Sequence, residues 1–207
     1  MKIFIFYFAL CISQALIAQD YNSAMQEGLN FWQTGNSDKA IALFERIAIA
    51  EPQQWLPDYY VGLLYTLQAF KTEDEKIANE KLKSAEKAIQ NAFIKTDENA
   101  ELLVLQALWY TAKISQNPMQ NGQKYMPKVN QLYAKAEVLD PENPRVKFQK
   151  AQFEMGSAKF FGNDIQPMCD EIKASISLFE NFKNDEPFYP NWGKKQAEIL
   201  AKQCDSE

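Results

Sequence analysis

The sequence predicts an all-α fold made of antiparallel helix pairs stacked one on the next. Apolar residues recur three and four positions apart over long stretches, the spacing that gathers side chains on one face of a helix. Small residues return at Gly28, Gly62, Ala107 and Ala151, where the two helices of a pair must cross closely and a larger side chain would hold the backbones apart. Turn formers, first in the run Thr34-Gly35-Asn36-Ser37, separate the periodic stretches.

Lys2 is the only charged residue before Asp20, and the apolar run from Ile3 to Leu10 continues through Ile12 to the small-residue segment Ala15-Leu16-Ile17-Ala18. That order is the order of an export signal, expected over residues 1–18 with cleavage after Ala18, or after Ala15 as the alternative. Ser13 and Gln14 interrupt the run, which is therefore not read as a membrane span. Cys11 follows Phe8-Ala9-Leu10, unlike the leucine-led, small-residue pattern that precedes a lipidated cysteine. Beyond residue 18 only Cys169 and Cys204 remain. Outside the cytoplasm such a pair can close a disulfide, and two separate thiols are the other reading.

The first helix pair places Ala24, Gly28 and Phe31 on one helix, Ala40, Phe44 and Ile47 on the next, and Pro52 at its end. Asn36 or Ser37 is suited to cap the second helix. In the second pair Gly62 and Tyr65 repeat the pattern, and Ala85, Ile89 and Ala92 continue it after an insertion. The third has Leu103, Ala107 and Tyr110, then Val129, Tyr133 and Ala136, and closes at Pro141. The fourth begins near Pro144, carries Lys147, Ala151 and Glu154, and returns from Gln166 to Phe182 with Pro167 in the first turn. Phe44, Ile89, Tyr133 and Leu178 are expected to supply the bulk opposite the four small residues. A closing helix is expected within 190–200, with Ile199 and Leu200 inward and Lys194, Lys195 and Glu198 outward. The insertions 69–80 and 115–127 are expected to project at one edge, the second through the turn formers Asn117-Pro118 and Asn121-Gly122.

These positions resemble the tetratricopeptide repeat family. The first pair follows its pattern through Ala24, Gly28, Phe31, Ala40, Phe44 and Pro52, although the family has tryptophan at the place of Ala24 and leucine at the place of Glu27. The later pairs are longer and degenerate. The resemblance covers about four hairpins over residues 21–188, with a capping helix and tail at 189–207, and implies a right-handed superhelical α-solenoid with a concave wall. Carried over residue by residue, that wall presents Met25, Leu29 and Trp32, then Tyr59 and Leu63, then Leu108, then Phe148. Arg145 and Gln152 stand beside them as polar orienting groups. The alternative is that these residues pack against the chain itself. The family's carboxylate clamp is not reproduced, because only Asn22 fits it.

With 22 basic against 27 acidic side chains and a formal net charge of −5, the chain is a poor match for phosphate-backbone binding, so no nucleic-acid partner is expected. The absence of histidine removes the commonest general base near neutral pH and the commonest nitrogen ligand for metals. Acidic clusters such as Glu73-Asp74-Glu75 lack calcium-loop spacing, and no phosphate-cradling glycine run or nucleophile elbow is present. No enzyme activity, cofactor or metal is therefore expected. The reading is a periplasmic or secreted protein of the Gram-negative bacterial envelope, a scaffold whose concave face binds an unidentified envelope protein or peptide. A homodimer through the same face is an option. A small-ligand or carbohydrate-associated accessory binding protein is the alternative.

Overall fold

The computed structural model describes residues 20–205, so the signal expected over 1–18 lies outside the described residues. Helix α1 covers 20–33. It is followed by α2 (Ser37–Ala50), α3 (Leu56–Lys71), α4 (Glu75–Lys95) and α5 (Ala100–Gln116). The chain continues through α6 (Pro118–Leu139), α7 (Pro144–Phe161), α8 (Gln166–Asn181) and α9 (Lys194–Cys204). No strand occurs among the described residues.

Local chemistry sets many of the boundaries. The side chains of Asp74, Asn99, Asn117 and Asn143 accept hydrogen bonds from the first amides of α4, α5, α6 and α7, satisfying donors that a helix start leaves unpaired. Pro57, Pro118, Pro144 and Pro167 sit in first turns, where the missing N–H costs nothing. Asn36 begins α2 without a side-chain cap bond. Gly162 ends α7 at φ +70, the left-handed conformation a helix stop needs.

Close packing follows the small residues. A Cβ on Gly28 would lie 2.6 Å from the Phe44 ring, and one on Gly62 would lie 2.9 Å from Ile89. Ala107 shares a cluster with Tyr133, and Ala151 shares one with Ile172 and Cys169. The disulfide between Cys169 and Cys204 joins α8 to α9 across 35 positions of sequence.

Helices α3, α5 and α7 contact one another in succession and form an inner layer. They run in the same direction: Tyr59, Glu101 and Arg145, from their first turns, meet at one end, whereas Gln116 near the end of α5 donates to the Ala69 carbonyl near the end of α3.

An open superhelix would leave this layer as a free concave wall, and here the structure corrects the expectation. The segment 182–193 between α8 and α9 turns back across it. Trp55 Nε1 donates to Glu186 at 2.8 Å, Tyr60 Oη donates to the Phe188 carbonyl at 2.7 Å, and Trp192 Nε1 donates to Tyr59 Oη at 2.8 Å. The Phe182 ring lies 4.8 Å from the Arg145 guanidinium. Phe188 adopts φ +63, rare for a bulky residue, and edges against Tyr21. The molecule is a closed all-α body and not an open α-solenoid.

Two smaller expectations also change. The insertions are mostly helix: 69–80 is divided between α3 and α4 by a three-residue break, and 115–127 belongs to α5 and α6 except for Asn117. Asn121-Gly122 thus lies inside the opening turns of α6 and makes no loop turn. In α9 the buried residues are Ala197 and Ala201, while Ile199 points outward, half exposed.

Candidate functional site

At the end of the inner layer where α3, α5 and α7 begin, side chains expected on a ligand-binding wall are turned into the protein. Arg145 Nε lies 2.7 and 2.8 Å from the two Glu101 oxygens, Asn143 Nδ2 donates to Glu101 at 2.7 Å, and Tyr59 Oη sits 3.4 Å from the same carboxylate. Arg145 is 1% exposed and Glu101 is fully buried. Burial alone would pull the guanidinium down, but the Glu101 charge and hydrogen bonds, with Tyr59 and Tyr189, raise it above its usual value. Burial, reinforced by Glu101, raises the Tyr59 phenol well above 10. The network is a neutralised internal lock.

Met25, Tyr59, Leu63 and Phe148 are wholly buried in the core, and Arg145 is consumed by Glu101. These five offer no surface to a ligand, because segment 182–193 and neighbouring helices cover them. Leu29 is half-buried against the first cluster. Trp32, Leu108 and Gln152 have a different setting: all three line a cavity at the opposite end of the inner layer.

That cavity has a volume of about 800 Å³, within the roughly 300–1,000 Å³ typical of small-molecule sites. Its floor is apolar, with Leu108, Phe153 and Tyr133 contributed by α5, α7 and α6. Its mouth lies where α3, α5 and α7 end and α6 begins, and is edged by Phe70, Met119, Phe160 and Phe161. These four large apolar side chains stand partly in water, Met119 at 79% exposure and Phe161 at 60%. Trp192, held by Tyr59, and Gln196 of α9 complete one wall. Burial pushes the Tyr133 phenol well above its usual value, with the Glu154 charge adding to the rise, so it stays a neutral hydroxyl at physiological pH.

A second depression, over residues 74–83, is lined by α4 and its cap alone and cannot enclose a ligand. Among the described residues no group of three or more histidine, cysteine or acidic side chains is placed to hold a metal. No described helix is long and apolar enough to cross a membrane.

Sequence reasoning missed Phe70, Met119, Gly122, Phe160, Phe161 and Trp192 as cavity residues. The signal for the α6 part was present, since Asn117 followed by Pro118 is a helix start as much as a turn. Segment 115–127 is therefore a cavity wall and not an edge loop.

The fold and the site define an all-α scaffold with a large apolar cavity at one end of its inner layer. Among solved structures it is similar to the HusA haemophore from Porphyromonas gingivalis, with a TM-score of 0.74 and 24% sequence identity over 91% of this chain and 92% of that one. No family model matches the chain, and no curated protein matches it. The tetratricopeptide resemblance is corrected accordingly: the helix pairs are shared in outline, but the architecture is similar to that of the haemophore and not to a repeat solenoid.

Proposed function

We propose that this chain is a non-enzymatic binding protein of the bacterial envelope, periplasmic or secreted, that carries a planar, mainly apolar ligand of the porphyrin class in the cavity between α3, α5, α6 and α7. The observation that carries the reading is the cavity itself: about 800 Å³, with an apolar floor and a mouth of exposed aromatic side chains. Exposed apolar side chains grouped at the mouth of a pocket are costly in water and gain most when a ligand covers them. The likeness to a haemophore supports the ligand class. The export-signal pattern of residues 1–18 and the Cys169–Cys204 disulfide support an extracytoplasmic compartment.

A small-ligand carrier fits this molecule better than a peptide scaffold, because the wall a peptide would use is covered by segment 182–193. Haem bound here would find no imidazole, since the chain has no histidine. Its near neighbours would be the Met119 and Met126 thioethers and the neutral Tyr133 hydroxyl. Apolar contact with the macrocycle faces would then supply most of the affinity.

The test is a titration with haemin and with metal-free protoporphyrin IX, followed by visible absorption and by quenching of Trp32 and Trp192, which line the cavity. Gly156 lines the same cavity, and a Cβ there would meet nothing within 4 Å. Gly156→Phe should therefore occupy ligand space without disturbing the fold, weakening binding about tenfold or more if it displaces one ring-sized contact. Absence of binding by both compounds, or equal binding by Gly156→Phe, would count against the carrier reading.

A further inference from the structure

We infer that the ligand of this cavity is an anion bearing carboxylates, and that Lys71 receives them at the mouth. The inference rests on the carrier reading and adds the charge and orientation of what is carried.

The first observation is the sign of the lining. The chain carries more acidic than basic side chains, 27 against 22, yet among the described residues no aspartate or glutamate lines the cavity. A cationic ligand would find no counter-charge there. The second observation is Lys71, the one cation among the described residues that lines it. Lys71 ends α3 beside Phe70, is exposed, and makes no ion pair or hydrogen bond among the described residues. Lys95, Lys135, Lys147, Lys150, Lys173 and Lys194 each lie within 4 Å of a carboxylate, whereas Lys71, like Lys87 and other surface lysines, does not; what sets Lys71 apart is that it lines the cavity. Lys71 is a charge with a cavity in front of it and no partner among the described residues.

The third observation is where the polarity falls. Lys71 stands at the mouth with Phe70, Met119, Phe160 and Phe161, while Leu108, Phe153 and Tyr133 form the floor. An amphiphilic ligand enters such a site with its apolar body inward and its charged edge outward, because an ionised carboxylate drawn to the floor would lose its hydration without a buried cation to replace it. At the mouth it keeps part of its water and gains the ammonium. The amides of Gln123, Gln149, Gln152 and Gln196 supply neutral hydrogen-bonding groups around the cavity, and none of them opposes a negative ligand.

The experiment compares mesoporphyrin IX, a dicarboxylate, with its dimethyl ester, which has the same macrocycle and no charge. Binding is read by tryptophan quenching at low ionic strength in the wild type, Lys71→Met, Lys71→Glu and, as a general charge control, Lys87→Met. The wild type should favour the diacid about two- to fivefold, the range of a solvent-edged ion pair. High salt should shrink that preference. Lys71→Met should abolish it, Lys71→Glu should invert it, and Lys87→Met should retain it. Equal affinity for acid and ester in the wild type, or a preference that survives Lys71→Met, overturns the inference and leaves the carrier reading standing. Failure of both compounds to bind overturns both.

Discussion

Replacing Glu101 by glutamine tests the internal lock at its most exposed point of logic. The substitution preserves shape and removes the charge, leaving Arg145, 1% exposed, among Phe182, Tyr189 and Gly193 without a counter-ion. Breaking one side of a buried pair costs about 3–5 kcal/mol, because the surviving charge keeps its desolvation penalty. Against a total stability of roughly 5–15 kcal/mol for a domain, that is a large fraction. A chain of this size loses roughly 2–4 °C in Tm per kcal/mol, so Glu101→Gln should melt on the order of 6–20 °C below wild type. Replacing both residues, Glu101→Met with Arg145→Met, should cost less than Glu101→Gln alone, since no orphaned charge remains. The assays are thermal and urea unfolding, each followed by far-ultraviolet circular dichroism. A loss below about 1 kcal/mol for Glu101→Gln would refute the claim that this pair is desolvated and mutually dependent.

Other outcomes follow from the same structure. Cys169→Ala with Cys204→Ala opens a link spanning 35 positions and should cost about 3–4 kcal/mol by chain entropy, read as a lower urea midpoint; an unchanged midpoint would contradict it. Gly28→Ala puts a methyl 2.6 Å from the Phe44 ring and should destabilise by about 1–3 kcal/mol, with part of the loss recovered by adding Phe44→Leu. Burial raises the phenols of Tyr59, Tyr60, Tyr133 and Tyr189. Their folded values exceed the unfolded value of about 10, so the stability they contribute is complete below that pH and is lost as pH climbs above it. Denaturant midpoints measured from pH 8 upward should fall on the alkaline side, and tyrosine absorbance at these sites should change only with loss of helix signal.

The helices were legible because each is written in local terms. Gly28 with Phe44, and Gly62 with Ile89, can be paired from the 3.6-residue period and the need for close approach. Tyr133 was likewise legible as core, and Pro167 as a first-turn residue. The closure was not legible. Trp192 meets Tyr59 across 133 positions and Trp55 meets Glu186 across 131, and no local period reports such a contact. Arg145 illustrates the result: on a helix face its spacing suits a groove, and only the arrival of Glu101 and Phe182 shows that it is internal. The cavity was hidden for a related reason. Its mouth residues Phe70, Met119, Phe160 and Phe161 lie at helix ends, where the periodic signal is weakest, and α1, α3, α5, α6, α7 and α9 must converge before the pocket exists.

The returning segment 182–193 also fixes an order of assembly. A chain that emerges from its N-terminus packs Tyr60 on Phe44 early but leaves one side of Trp55, Tyr59 and Tyr60 uncovered until nearly the whole polypeptide is available, because that cover comes from Glu186, Phe188 and Trp192. Contacts this distant in sequence form slowly, since the intervening loop has to be closed first. During that interval the early helices carry uncovered aromatic surface, the kind that invites association between incomplete molecules. A chain shortened by its last two dozen residues would remain in that unfinished state, with helices formed and the apolar face still open.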